Sequence, residues 1–379
     1  MEILEKQSAK RPQDKPTRVL VVDDSRLMRE QICDILADAP GYSVVGTACN
    51  GAEALIKAAE LRPDIMTLDV TMPCMDGLET LDVLISKNPI PVLMVSALTH
   101  RAADITIEAL QRGAVDYVTK PEESRRSFDS FRHELLGKLR IMTGIDVRRM
   151  MRVRQSHAER TNRRKESLTG KIATKADQDS HCYDNCCVAL GISTGGPPAL
   201  SQLFQDIAPP LPPIVIVQHM PAKFTKPFAA RLNLLSDISV KEAATGDVLR
   251  PNQALVAPGG LHLRLHRQGS QVLVRIEDGE PVSSHKPSVD VMMRDAAKIF
   301  GQRCLGVIMT GMGQDGAAGC GEIRAGGGYV LGQDEATSDV YGMNKVAFNS
   351  GFVDRQFSLG DLPDLLQQQC RKMFRAPRS

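Results

Sequence analysis

The sequence predicts two α/β modules in series, each a doubly wound, mainly parallel sheet with helices on both faces. Three observations point there. Short apolar runs alternate with helix-spaced segments from Arg18 to Met142, and again from Cys187 to Phe374. Between them, residues 143–184 lose the pattern and become Arg-rich and weakly apolar. At 379 residues the chain is too long for one ordinary domain and suits two of about 120–200 residues.

In the first stretch Val19–Val22 is a short buried-strand run, and Ser25–Ala37 has helical spacing. Tyr42–Cys49 reads as strand and Gly51–Leu61 as helix. Ile65–Leu68 (strand), Gly77–Ser86 (helix), Val92–Val95 (strand), Ala102–Arg112 (helix) and Ala114–Thr119 (strand) follow, and a helix over 124–142 closes the set. In the second stretch the strands are Cys187–Ile192, Ile214–Gln218, Val240–Glu242, Ala254–Ala257, Leu261–Leu265, Val272–Ile276, Cys304–Met309 and Tyr329–Gly332, with a hairpin expected near 254–276. Helices are expected over Pro198–Asp206, Thr225–Leu234, Val289–Phe300, Gly316–Ala325, Asp339–Asn349 and Leu362–Phe374.

Composition narrows the function classes. Charged residues make up 24% and hydrophobic residues 42%, as in soluble globular proteins. Tryptophan is absent and aromatics are 4%, which argues against base-stacking platforms for single strands. The net charge is +2, yet residues 125–175 hold fifteen Lys/Arg against five Asp/Glu. That segment reads as a solvated basic linker between acidic modules, with no nucleic-acid partner expected. No apolar run approaches the ~18 residues of a membrane span, and Met1–Arg18 is too charged for a secretory signal, so a cytoplasmic protein without membrane insertion is expected. The nine cysteines fit a reducing compartment. His181, Cys182, Cys186 and Cys187 cluster, but their spacing matches no standard zinc knuckle, and they read as a linker end entering a buried strand.

In open α/β sheets, function gathers beyond the carboxyl ends of the strands. In the first module those positions hold Asp23 and Asp24, then Asp69, then Ser96, then Lys120 before Pro121. Adjacent carboxylates repel, and a hard cation with oxygen ligands, Mg²⁺, resolves this. Asp69 could then attack a phosphoryl donor, with Ser96 and Lys120 bonding the phosphoryl oxygens. These residues stand in VLVVDD (19–24), LDVTMPCMDG (68–77), VSA (95–97) and GAVDYVTKP (113–121), and residues 18–121 resemble response-regulator receiver domains. The resemblance implies Asp69 as phospho-acceptor, Mg²⁺ held by Asp23, Asp24, Asp69 and the Thr71 carbonyl, Ser96 and Lys120 as switch residues, and a cis bond before Pro121.

The second module places Ser193 in the turn Gly191-Ile192-Ser193-Thr194-Gly195-Gly196 after one strand, His219 after the next, and Asp315 in a loop after a third. A glycine-rich strand-to-helix turn leaves a serine hydroxyl exposed, the logic of a nucleophile elbow, though G-x-S-x-G itself is absent. A phosphate-cradling turn is the other reading of such glycines, but a Walker lysine and a dinucleotide fingerprint are both missing. Ser, His and Asp supply nucleophile, base and orienting carboxylate, in a chain order unlike the common triads. With GISTGGPPAL (191–200), VQHMP (217–221), APGGLHL (257–263), HKPSVD (285–290), TGMGQDGAAG (310–319) and GQDEATSDVYGM (332–343), residues 186–375 resemble the catalytic domain of the chemotaxis protein-glutamate methylesterases of the CheB family. The resemblance implies Ser193 as nucleophile, His219 as base, Asp315 as its partner, the Met312 N–H as oxyanion donor and Thr194 in support. Ile192, Asn344, Gly332, Thr71 and Cys74 depart from the family pattern, and Ile192 is expected to narrow the substrate entrance.

The expected organisation is a tail at 1–16, a receiver domain at 17–137, a basic linker at 138–184 and a methylesterase domain at 185–379. The resemblance implies a phosphorylation-activated serine hydrolase that demethylates glutamate methyl esters on methyl-accepting chemotaxis receptors and deamidates receptor glutamines. A chemotaxis-type histidine kinase would be the phosphodonor, the hydrolase would need no cofactor, and the protein would be a monomer. The receiver is expected to cover the hydrolase face when unphosphorylated. Three other readings compete: a receiver driving a non-catalytic scaffold, a DNA-binding regulator, and the same hydrolase in a non-chemotaxis receptor system. The intact Ser193, His219 and Asp315 weigh against the first, and the lack of a helix-turn-helix pattern weighs against the second.

Overall fold

The first sheet has five strands in the order β2-β1-β3-β4-β5, all parallel. They are β1 (Thr17–Val22), β2 (Tyr42–Ala48), β3 (Ile65–Asp69), β4 (Val92–Ser96) and β5 (Asp116–Thr119). Helices α1 (Arg26–Ala37), α2 (Gly51–Leu61), α3 (Gly77–Lys87), α4 (His100–Arg112) and α5 (Arg125–Met142) connect and cover it. The structure is a computed structural model that describes residues 15–121, 125–156, 183 and 185–374. Local chemistry sets where the helices start. Ser25, Asn50, Asp76 and Thr99 each accept a hydrogen bond from an N–H of the first turn, and Asp76 with Glu79 forms a reciprocal capping box.

The second sheet has seven strands in the order β14-β13-β12-β6-β7-β9-β8, again all parallel. Its strands are β6 (Cys187–Ile192), β7 (Ile214–Gln218), β8 (Ser239–Glu242), β9 (Gln253–Val256), β12 (Cys304–Ile308), β13 (Tyr329–Gln333) and β14 (Arg355–Phe357). Every residue of β6, β7 and β12 is buried, which is why these strands are unbroken apolar runs rather than alternating ones. Helices α7 (Gly196–Asp206), α8 (Ala222–Leu235), α9 (Val289–Phe300), α10 (Ala317–Ala325), α11 (Met343–Asn349) and α12 (Leu362–Phe374) pack on its faces. The antiparallel hairpin is β10 (His262–Gln268) with β11 (Gln271–Glu277), a separate two-stranded sheet, while β9 joins the main sheet. In both sheets the order reverses at one strand, β1 and β6, and the crevice beyond that strand is where α/β folds build sites.

Several expectations need revision. Helix α11 begins at Met343, not Asp339, because Gly311 pairs with Val340–Tyr341 and holds that segment extended. Strand β14 is three residues long and carries too little pattern to be read from sequence. The basic segment is not all solvated linker. Helix α5 continues past residue 137 to Met142, and residues 147–156 form a further helix, α6. Among the described residues the cis X-Pro bonds are Pro209–Pro210 and Lys286–Pro287, so the implied cis bond before Pro121 is not found. Ile192 is fully buried among core residues such as Leu190 and Leu200, so it does not narrow an entrance. Cys186 and Cys187 belong to hydrophobic clusters on opposite faces of the sheet, which keeps them from sharing one ion. His181, Cys182, residues 1–14 of the tail and residues 157–182 of the linker lie outside the described residues. Among the described residues no helix is long and apolar enough to cross a membrane.

Leu190, at the centre of β6 and 1% exposed, sits where a cavity could not collapse. Leu190→Ala should lower stability by about 2–5 kcal/mol, whereas Leu27→Ala, on a 64% exposed side chain, should stay within about 0.5 kcal/mol; the urea midpoints of the two variants check this.

Candidate active site and switch site

The ends of β12, β6 and β7 are stitched together laterally. Ser193 donates its N–H to the Thr310 carbonyl (3.0 Å), and His219 donates its own to Ile192 (3.2 Å). The Gln218 amide then bridges the Ser193 and His219 carbonyls, at 3.0 and 3.1 Å. The turn carrying Ser193 is tight: Gly195 has φ +78, and a Cβ at Gly311 would lie 2.7 Å from the Ser193 Cβ. Ser193 and His219 thus follow neighbouring strands, β6 and β7, and Asp315 reaches His219 from the loop after β12.

Asp315 is wholly buried and receives hydrogen bonds from four groups. His219 Nε2 lies 2.8 Å from its Oδ2. The Val289 N–H (2.7 Å), the Asp290 N–H (3.1 Å) and the Ser288 hydroxyl (2.8 Å) come from the start of α9. Burial alone would raise this carboxyl, but the bond and charge of His219 and these donors outweigh it and hold Asp315 below its usual value. A carboxylate there requires Nε2 to carry the hydrogen, so Nδ1 holds the lone pair. His219 Nδ1 is buried and has no hydrogen-bond partner. It is therefore the nitrogen left to accept a proton.

The neighbouring Asp290 caps the loop from the other side, accepting from the Gly316 and Gly319 N–H groups at 2.9 and 2.7 Å. Burial, and then the adjacent Asp315, push its carboxyl up. His285 lies flat on His219, ring centroids 3.8 Å apart. Nitrogens of His219 and His285 and an oxygen of Asp315 come within 4.8 Å of one another, but rings in parallel planes cannot both aim lone pairs at one ion. In the loop above, Gly311 N–H bonds Val340 and Met343 N–H bonds Gly311, whereas the Met312 N–H has no such bond among the described residues. Met312 thus keeps a free N–H in the residue after Gly311, whose own Cβ position would abut Ser193.

In the other module Asp23, Asp24 and Asp69 bring carboxylate oxygens within 4.8 Å of one another. Lys120 Nζ sits 2.8 Å from Asp23 and 2.9 Å from Asp69. Burial first, and then Asp23, raise the Asp69 carboxyl to about 6 despite Lys120. Asp23 is likewise raised by burial. This all-oxygen, crowded donor set fits a hard divalent cation. Ser96 is buried at the end of β4, its hydroxyl accepting from Thr106 at 2.8 Å, and exposed Thr71 follows Asp69 by two residues.

The modules meet at the active-site turn. Thr194 donates its hydroxyl to Asp116 Oδ2 of β5 at 2.6 Å. Asp116 pairs in turn with Lys138 of α5 (3.2 Å), which also binds Glu134 (2.9 Å). Burial would lower the Lys138 ammonium, but Asp116 and Glu134 hold it above its ordinary value. Tyr117 stacks on Phe224 at 4.9 Å, Lys223 donates to the Leu98 carbonyl, and Gln111 donates to Ser201. Arg154 of α6 joins the Leu110 carbonyl to Asp339, the residue a Cβ at Gly195 would strike. Ser193 is left 7% exposed. Asp116, Lys138, Arg154, His285 and Asp290 carry no site role in the sequence reading. Asp116, His285 and Asp290 stand in the motifs GAVDYVTKP and HKPSVD, which is the signal that could have found them.

Each module has known counterparts. Residues 188–366 match the family described as CheB methylesterase, and residues 19–131 match the response regulator receiver domain. A protein-glutamate methylesterase/protein-glutamine glutaminase of Geobacter metallireducens is 43% identical over 365 residues, 95% of this chain and 99% of the relative. One from Xanthomonas axonopodis pv. citri is 43% identical over 343 residues, 90% of this chain and 97% of the relative. Another, from Halalkalibacterium halodurans, is 40% identical over 356 residues, 94% and 99% of the two chains.

The raised Asp69 has a consequence for stability. Its folded value, about 6, lies above the ordinary 3.8, so the folded state holds the proton more tightly. Stability from this group is complete below 3.8 and is lost as pH rises through about 6. Without divalent metal, Asp69→Asn should therefore melt above wild type at pH values beyond about 6 and level with it near 3.8. Added Mg²⁺ should raise the wild-type melting temperature and leave Asp69→Asn nearly unmoved; calorimetry with and without Mg²⁺ checks both.

Proposed function

The chain belongs to the CheB methylesterase family and carries its receiver domain, and on that premise we propose a phosphorylation-controlled serine hydrolase acting on chemoreceptors. Its substrates are γ-glutamyl methyl esters of methyl-accepting chemotaxis receptors, and receptor glutamines, which it deamidates. One observation carries the reading: His219, bonded through Nε2 to buried Asp315, keeps Nδ1 free in the crevice that holds Ser193.

His219 Nδ1 takes the Ser193 proton as the hydroxyl attacks the side-chain carbonyl. The oxyanion falls to backbone donors, of which the free Met312 N–H is the first candidate, each worth about 3–4 kcal/mol. The imidazolium, stabilised by Asp315, returns the proton to leaving methanol or ammonia, and water releases a glutamate carboxylate. None of these residues needs a metal to perform its part.

The receiver supplies control. Asp23, Asp24, Asp69 and the Thr71 carbonyl would hold Mg²⁺, which neutralises the crowded charge and lets Asp69 accept a phosphoryl group. Lys120 and Ser96 would bond the phosphoryl oxygens. A histidine kinase is the phosphodonor. Asp116 occupies the Thr194 hydroxyl next to Ser193, and Gly137 of α5 faces the Met312 side chain, whose Cε would lie 3.5 Å from a Cβ there. Phosphorylation at Asp69, on the same sheet as Asp116, weakens that packing. The eight described cysteines are free thiols, in keeping with a cytoplasmic site of action.

Methanol release from a methylated chemoreceptor tests both halves. Wild type with a phosphodonor should release methanol, Ser193→Ala should release none, and Asp69→Asn should lose the stimulation. No methanol from folded, phosphorylated wild type on several receptors would defeat the reading. Asp116→Ala, which frees Thr194, should raise the rate without phosphodonor roughly ten- to a hundredfold, as expected for removing a charge-assisted hydrogen bond.

A further inference from the structure

The His219 ring is held at two places. Nε2 lies 2.8 Å from Asp315 Oδ2, and the ring face lies on His285 with planes 10° apart and centroids 3.8 Å apart. A single hydrogen bond fixes one ring atom but leaves the ring free to tilt about that bond, and Nδ1 swings with the tilt. A flat neighbour at van der Waals distance removes this freedom.

His285 is itself held firmly. It ends the turn Val282–His285, whose terminal residues exchange two backbone hydrogen bonds of 3.1 and 3.0 Å. The two central residues, Ser283 and Ser284, have φ of +52 and +65, a left-handed pair that side chains other than Gly, Asn and Asp rarely adopt. His285 Nδ1 donates to the Ser283 carbonyl at 2.7 Å, which fixes the ring plane. A few residues on, Ser288, Val289 and Asp290 grip Asp315. One segment, 282–290, thus restrains both the carboxylate and the face of the imidazole it orients.

The charged and titratable groups that act on His285 are His219, Asp315 and Lys138. Burial, and then His219, push its imidazole down to about 4, so it stays neutral when its neighbour takes up a proton. A neutral face does not repel the imidazolium formed in the reaction.

We propose that His285 is a positioning residue: clamped by the Ser283–Ser284 turn, its ring sets the tilt of His219 and so aims Nδ1 at Ser193. The inference rests on the hydrolase reading above, and the test separates the two. Methanol release by the full chain with phosphodonor is followed across pH for wild type, His285→Ala and His285→Phe, with Ser193→Ala as blank. Folding and Asp69 phosphorylation of each variant are checked alongside.

His285→Ala should lose roughly ten- to a hundredfold in kcat with KM nearly unchanged. The acid limb of its kcat/KM profile should also shift, because water reaches the exposed ring face. His285→Phe, a flat ring without nitrogens, should keep kcat within about threefold and leave the limb in place. A folded His285→Ala with wild-type kcat and pH profile overturns the inference, as does a His285→Phe as impaired as His285→Ala. Wild type no faster than the Ser193→Ala blank sinks the hydrolase reading, and this inference with it.

Discussion

A buried carboxylate is costly unless it is fully hydrogen-bonded, and the catalytic module is arranged around meeting that condition for Asp315. The first turn of α9 supplies two N–H groups and the Ser288 hydroxyl, and His219 supplies the fourth donor. These keep Asp315 ionised in an interior where burial would otherwise protonate it. Because it is ionised, His219 must present Nε2–H to it, and the other nitrogen keeps the lone pair. The parallel sheet sets the rest, since β6, β7 and β12 are neighbours and their ends deliver all three groups to one crevice.

Regulation depends on the same crevice being reachable from the receiver. Moving a two-state equilibrium from 1:99 to 99:1 takes about 5.5 kcal/mol. A hydrogen bond to a charged group contributes about 1.5–3 kcal/mol, so the Thr194–Asp116 bond alone is too weak to be the whole device. Arg154 with Asp339, Arg149 with the Ala336 carbonyl, Tyr117 on Phe224 and the contacts of Lys223 and Gln111 add to the interface. Asp116 is distinctive because it links a half-buried lysine, Lys138, to Thr194, the residue after Ser193. A change in how β5 and α5 pack is then felt directly at Ser193.

Much of this was legible from the residues. The strand-end rule led to Asp23, Asp69, Ser96, Lys120, Ser193, His219 and Asp315, because a parallel sheet forces those positions to one edge whatever the side-chain detail. The departures have physical causes. Lys138 and Arg154 stand in a run of basic residues, and charge density alone reads as solvated surface; only the folded structure shows Lys138 half-buried against Asp116 and Arg154 paired with Asp339. His285 and Asp290 do their work through a stacking plane and a backbone cap, which no spacing rule encodes. Ile192 looked like part of an entrance because it neighbours Ser193 in sequence, but side chains alternate along a strand and its own points into the core.

The central claim is that Asp315 fixes His219 with the hydrogen on Nε2 and the lone pair on Nδ1. Nitrogen-15 chemical shifts of histidine-labelled protein at neutral pH report this tautomer directly, with the His219 signals assigned by their loss in His219→Gln. The account predicts a protonated Nε2 and a bare Nδ1 for His219. A His219 ring carrying its hydrogen on Nδ1 instead would contradict it.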